Sequence, residues 1–311
     1  MSIKNNSLKI LIWSGLILTL SVYGWMNFSS GTGFLAPRTA ATNTEAAAEK
    51  PTLSPLAVYY TDQAAILVYH HLDDNETGAT ISPQHFAAQI ASLKNKGYNF
   101  ISLKQLGDFL AGQQEIAPNA IVITFDDGYE SVYKYAYPIL VENHIPASIF
   151  VIVKNVGLTE NQIPKLTWDQ MQAMQAQGMS FYSHTYNSHQ LVRRQDGTEA
   201  PALISPQYLP SQQRDENWSE YRARIAEDLR RSQTTLENTL HSEVNFLALP
   251  YGLGNATVTQ TAQQLGYDFL LSVDPGMVNK NSDPWALKRI NAGQSCMDGE
   301  ALHSTILSYI R

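Results

Sequence analysis

Ala120-Ile121-Val122-Ile123-Thr124-Phe125-Asp126-Asp127-Gly128-Tyr129 reads as a strand that ends in two adjacent carboxylates. Ala120 to Phe125 is an apolar β-type run, and a helix-like run follows it. Adjacent strand residues point to opposite faces unless the strand bends or stops. Gly128 permits that bend, because glycine tolerates backbone angles that other residues resist. Both acids can then serve one site, one binding a metal and the other taking protons. A plainer alternative makes Asp127 the N-cap of a helix that starts near Tyr129.

Two further segments bear on that choice. Ser183-His184-Thr185-Tyr186-Asn187-Ser188-His189 closes a second β-like run, Met179 to Ser183. Histidines at this spacing do not share a helical face, where neighbours lie three or four residues apart. They can converge from a strand end and the loop after it. Two imidazoles and a carboxylate make a three-ligand set, the number that catalytic zinc sites use while keeping one position open. Ala248-Leu249-Pro250-Tyr251-Gly252 follows a third run, Phe246 to Leu249, and by itself reads as an ordinary turn.

In this order the three segments resemble the motifs of the polysaccharide deacetylases, the family-4 carbohydrate esterases with a NodB-homology domain. The first motif is residues 124–128, the second is His184, Thr185 and His189, and the third is residues 250–252. The resemblance spans roughly residues 60–310. Within the family the chain looks most like deacetylases of poly-β-1,6-N-acetylglucosamine, a biofilm exopolysaccharide. The histidine spacing is one residue longer than in chitin and peptidoglycan deacetylases. The stretches Gly197–Ala202, Gln207–Leu209, Glu220–Arg224 and Asp228-Leu229 fit as well, as do Leu67–His71 and Gly97-Tyr98. Two positions depart from the wider family. Ala248 stands where many members carry arginine. Leu302-His303 lacks the Leu-x-His spacing of the usual general acid.

The resemblance implies roles. Asp127, His184 and His189 would hold one divalent metal, zinc by default, with cobalt, nickel or ferrous iron also compatible. Such a metal lowers the pKa of water and polarises a carbonyl. Asp126 would be the general base. The Tyr251 N–H, in the turn opened by Pro250, would donate to the oxyanion. Tyr69 and His70 end the first strand and either reach the same face or are structural. Trp168 stacks on sugar or belongs to the core. Arg289 orients an acid or makes a surface ion pair. The substrate implied is an N-acetylglucosamine polymer. Peptidoglycan or chitin oligomers are the alternative. A binding protein without activity would need a lost ligand, and all three are present. A glycoside hydrolase would need separated acids flanking the bond.

Composition agrees. A chain of 311 residues that is 44% hydrophobic can build a large globular core. A formal charge of −7 with no basic cluster argues against nucleic acid. Ile10 to Phe28 is an uncharged apolar run, preceded by Lys4 and Lys9, with no basic residue until Arg38. About twenty such residues span a bilayer. The flanking charges put residues 1–9 in the cytoplasm and the domain outside the cell membrane. A cleaved signal peptide is the competing reading. Residues 29–57 read as a flexible tether and residues 58–311 as the catalytic domain. Cys296, the sole cysteine, excludes an intrachain disulfide and reads as a structural thiol.

Strand-like and helix-like segments alternate. The pattern predicts strands at Ala65–Tyr69, Phe100–Ser102, Ala120–Phe125, Ser148–Val153, Met179–Ser183, Phe246–Leu249, Phe269–Val273 and Leu287–Asn291. Helices are expected after Ser82-Pro83, then at Leu103–Ala111, Ser131–Asn143, Thr167–Gln177, Ser219–Leu240, Thr257–Leu265 and Gly299–Tyr309. Such alternation indicates an α/β fold with a mainly parallel sheet and outer helices. The family resemblance narrows this to a distorted (β/α)7 barrel with its site on the βα loops.

Overall fold

Strands separated by helices pair in parallel here, as the alternation requires. The computed structural model describes residues 57–160, 162–295 and 297–310, which belong to one compact unit, Ser54–Arg311. The strands are β1 (Ala64–Tyr69), β2 (Asn99–Phe100), β3 (Ala120–Phe125), β4 (Ala147–Val151), β5 (Ser180–Ser183), β6 (Phe246–Ala248), β7 (Phe269–Leu271), β8 (Met277–Val278) and β9 (Ile290–Asn291). They form one sheet in the order β7-β6-β5-β4-β3-β1-β8, with β2 beside β3 and β9 beside β1. Pairing is parallel except between β1 and β8. A parallel bridge from Leu271 to Leu287 brings the last segment alongside β7. The sheet therefore curls back on itself, as a (β/α) barrel does.

Side chains alternate across the curl. Ala65, Leu67 and Tyr69 of β1 and Ile121, Ile123 and Phe125 of β3 face the outer core, which they share with the helices. Ala64, Ile66, Ala120, Val122, Phe246, Ala248 and Leu271 face inward, where Leu103, Leu106 and Phe109 plug the space. Those three come from α2 (Leu103–Leu110), capped by Ser102. Each fully buried side chain of this size contributes about 1.5–3 kcal/mol. The two-residue period carries past the strand ends. It places His70, Asp126, His184 and Arg289 on the inner face at the same end of the sheet.

The outer helices are α1 (Pro83–Asn95), α3 (Tyr137–Glu142), α4 (Trp168–Gln175), α5 (Trp218–Leu240), α6 (Ala256–Leu265) and α7 (Gly299–Ser308). Ser82, Thr167, Asn217, Asn255 and Asp298 cap α1, α4, α5, α6 and α7 through their side chains. Most expected elements form within a few residues of their predicted limits. Three differ for physical reasons. The single helix expected at Ser131–Asn143 is interrupted by a wide π turn, Val132–Ala136, before α3. Pro138 lacks an N–H, so the ordinary helical bond cannot form there. The strand expected at Phe100–Ser102 stops at Phe100, because Ser102 is spent as a cap. The strand expected at Leu287–Asn291 pairs only at Ile290–Asn291 and through the Leu287 bridge. Between β5 and α5 lie two hairpins, Leu191–Arg193 with Glu199–Pro201 and Tyr208–Leu209 with Arg214–Asp215.

The expected spanning segment Ile10–Phe28, residues 29–56 of the expected tether, and Cys296 lie outside the described residues. Among the described residues no helix is long and apolar enough to cross a membrane.

After β6 the chain turns sharply at Pro250–Gly252. Gly252 has φ +70, and a Cβ there would lie 2.7 Å from the Val273 nitrogen. Neither the backbone angle nor the space suits a side chain. Gly252→Ala is expected to lower stability by about 1–3 kcal/mol, measured by urea denaturation. A denaturation midpoint equal to wild type would refute the steric argument.

Candidate active site

β3 continues directly into Asp126, whose N–H donates to the Tyr69 carbonyl at the end of β1 (2.9 Å). Its side chain is buried on the inner face. There Arg289 meets it with both arms, Nη1 to Oδ1 and Nη2 to Oδ2, each at 2.8 Å. The guanidinium is itself 0% exposed, and its Nε donates to the Ser272 carbonyl at 2.8 Å. Burial alone would push the Asp126 carboxyl up. Arg289, with His184 and His70 nearby, outweighs that and holds it below the ordinary carboxylate range. Asp126 is thus a buried but ionised carboxylate.

The chain then bends. Asp127 and Gly128 both take left-handed backbone angles, φ 69 and 63, so Asp127 does not continue the strand alternation. It is not a helix cap either. The next helical turn begins at Glu130, after Tyr129, and the Asp127 carboxylate faces two imidazoles instead. His184 Nε2 lies 3.5 Å and His189 Nε2 lies 3.4 Å from Asp127 Oδ1. That oxygen is buried and has no hydrogen-bond partner. One ligand atom from each residue falls within 4.8 Å of the others. An orphaned carboxylate oxygen facing two imidazole nitrogens fits a divalent cation, and the donor set suits zinc and its neighbours in the series.

The imidazoles are prepared for that role. His184 Nδ1 contacts the Ala248 carbonyl at 2.8 Å. A carbonyl only accepts, so Nδ1 carries the proton and Nε2 is left toward Asp127. Burial, then the adjacent His184, push His189 down to about 4, so its imidazole is neutral near pH 7. The Tyr251 ring packs on His189 with ring centres 4.6 Å apart. Tyr251 has φ 57, and its turn uses the N–H groups of Gly252 and Leu253, bonded to Leu249 and Pro250.

Of the weaker candidates, His70 reaches the site. It acts electrostatically on Asp126, and its Nδ1 is buried without a partner. Tyr69 does not reach it. Its ring is in the outer core and its hydroxyl donates to Gln89 Oε1 at 2.7 Å. Trp168 opens α4 and packs half-buried on the outer core. Arg289 is not in a surface ion pair, since it is wholly enclosed. His303 lies away from the site, its Nδ1 2.8 Å from the Tyr98 hydroxyl and its ring against Tyr59.

Sequence reading missed Lys165. Its segment pairs with Tyr129, the Leu166 N–H donates to Gly128, and the Glu130 N–H to Pro164. This buries the lysine. Its Nζ donates to the Asp127 carbonyl at 3.0 Å and sits 3.4 Å from the centre of the Tyr129 ring. Burial pushes this ammonium down to about 8, against the pull of Asp127. Lys165 thus ties down the left-handed Asp127 peptide. A lone lysine in a loop gives no signal of this.

A family model described as Polysaccharide deacetylase matches residues 113–270. The chain is 26% identical over 243 residues, 78% of its length and 76% of the relative's, to YxkH of Bacillus subtilis (strain 168), whose name assigns it provisionally to the polysaccharide deacetylases. It is 26% identical over 227 residues to the poly-beta-1,6-N-acetyl-D-glucosamine N-deacetylase of Escherichia coli (strain K12). That match takes in 68% of this chain and 34% of the relative, so the chain spans about a third of that protein's length. Among solved structures, the deacetylase domain of BpsB from Bordetella bronchiseptica superposes with a TM-score of 0.65 at 28% identity, covering 73% of this chain and 95% of that one.

Removing one partner of a buried ion pair strands the other charge, at a cost of about 3–5 kcal/mol. Arg289→Ala is therefore expected to lose stability of that order in chemical denaturation. Arg289→Lys should recover little of it, because lysine lacks the planar fork. A loss of only a few tenths of a kcal/mol would show that Asp126 is held by something else.

Proposed function

The chain belongs to the polysaccharide deacetylase family, and on that premise we propose that it is a metal-dependent N-deacetylase of an N-acetylglucosamine polymer, β-1,6-linked. The observation that carries the catalytic part is the convergence of Asp127, His184 and His189 beside an Asp126 that Arg289 keeps ionised. The linkage is supported by the long histidine spacing and by the name of the Escherichia coli relative.

In this reading Asp127, His184 and His189 hold one divalent ion, zinc in the first instance. Bound there, it supplies Lewis acidity at the acetamide and lowers the pKa of the attacking water. The chain's own groups do the rest. Asp126 accepts the proton of the attacking water, since it is ionised and held on the same inner face. Arg289 keeps it from shifting or taking up a proton beforehand. The Tyr251 N–H donates to the developing oxyanion. The leaving amine takes its proton from Asp126. Tyr251 and His189 wall one side, so the acetyl group enters beside an aromatic ring. The site lies at strand ends, where βα loops border it, so internal units of a polymer can present their acetamides.

Two experiments check these roles. Alanine at Asp127, His184 or His189 is expected to remove bound metal and acetate release together. Asp126→Asn should keep metal and lose about 10²–10⁴-fold in turnover. Full metal occupancy in the alanine variants by elemental analysis, or near wild-type turnover of Asp126→Asn, would overturn the assignment. For the substrate, acetate release from β-1,6- and β-1,4-linked N-acetylglucosamine oligomers of matched length should favour the β-1,6 series. Faster release from the β-1,4 series would redirect the reading to peptidoglycan or chitin.

A further inference from the structure

The loop between the two histidines is held by the side of α5. Asp228 takes the Tyr186 N–H on Oδ1 at 3.0 Å and the Asn187 N–H on Oδ2 at 2.8 Å. Three residues on, the Arg231 guanidinium lies 3.9 Å from the centre of the Tyr186 ring. One residue further, Ser232 Oγ is 2.7 Å from Ser183 Oγ, which also accepts the Thr185 N–H at 3.1 Å. Residues at this spacing share one helical face. On its other side the loop's backbone is taken by β4 and the turn after it. The His184 N–H donates to Val151, the Val153 N–H to Thr185 and the Lys154 N–H to Tyr186.

The two histidines are not fixed alike. His184 leaves the end of β5 and is locked through Nδ1 to Ala248. His189 follows five residues later, after a left-handed Thr185 (φ 71). Its reach toward Asp127 depends on the path of residues 185–188. Among the described residues, Asp228 is the one carboxylate that accepts two consecutive N–H groups of that path. A carboxylate suits this task because it offers two acceptor oxygens and no donor.

We propose that Asp228 is a positioning residue of the metal centre, which sets His189 against His184 and Asp127 by fixing the Tyr186–Asn187 backbone. The proposal rests on the metal reading given above. Asp228 touches neither the metal position nor the reacting atoms, so its effect is on how tightly the three ligands close on an ion. Outer groups that orient ligands in this way change metal affinity by about 10–100-fold when removed.

The test is the zinc affinity of purified Asp228→Asn and Arg231→Ala, by competition with a chromogenic chelator, alongside melting of the metal-free proteins. Asn keeps the shape of Asp but turns an NH2 toward an N–H, so one bond is lost and two donors face each other. The expected result is zinc bound about 10–100-fold more weakly by Asp228→Asn, with metal-free melting near wild type. Arg231 is exposed, and Arg231→Ala should weaken zinc by a smaller factor. Wild-type affinity in a folded Asp228→Asn overturns the proposal alone. So does a drop in metal-free melting with zinc affinity unchanged, which would make Asp228 only a fold residue. If Asp228→Asn does not fold, Arg231→Ala decides, and wild-type affinity there overturns the proposal. No zinc on the wild-type protein would overturn the metal reading, and this inference with it.

Discussion

A carboxylate enclosed as Asp126 is would ordinarily take up a proton and cease to be a base. The guanidinium of Arg289 prevents that, and the rest of the site is arranged around the pair. The two residues lie 163 positions apart in the chain. They meet only because the sheet curls far enough to bring the last strand beside the first. β1 lies between them, paired to β3 on one edge and to β9 on the other. Closure of the sheet and ionisation of Asp126 are therefore one event. Neither partner is tolerable without the other at this depth.

Around this pair the backbone departs from ordinary conformations at three strand ends. Asp127 follows β3, Thr185 follows β5 and Tyr251 follows β6, each with positive φ. Non-glycine residues pay in strain for that conformation and keep it only when neighbours impose it. Here the neighbours are identifiable. Lys165 holds the Asp127 carbonyl, Ser183 holds the Thr185 N–H, and the Pro250–Gly252 turn bonds around Tyr251. Each distortion swings one functional group off the strand direction and toward the others. A regular strand end would have aimed Asp127 away from the inner face.

Much of this was legible in the sequence because it depends on local pattern. The three motifs sit at the ends of apolar runs, and a two-residue period from Ala120 through Val122 and Thr124 leads to Asp126 on the inner face. The same period separates Tyr69, which faces the outer core, from His70, which faces the site. Arg289 stood on a recognisable strand, but its partner is too distant in sequence for any local pattern to name it. Lys165 had no pattern at all, since its burial comes from a loop folding back over Tyr129. The π turn at Val132–Ala136 needed the effect of Pro138 on its predecessors to be weighed against a strong helical period.

The ring of His184 is oriented by the carbonyl of Ala248, not by its side chain. A backbone group persists under any substitution, so the tautomer that leaves Nε2 toward Asp127 tolerates mutational drift at this position. The Ala248 side chain answers to a separate demand, the space inside the curl among Phe246, Leu271 and Ile66. Position 248 is therefore limited by volume and by its apolar surroundings, and not by the hydrogen bond to His184. The arginine that meets Asp126 is instead Arg289, just before β9.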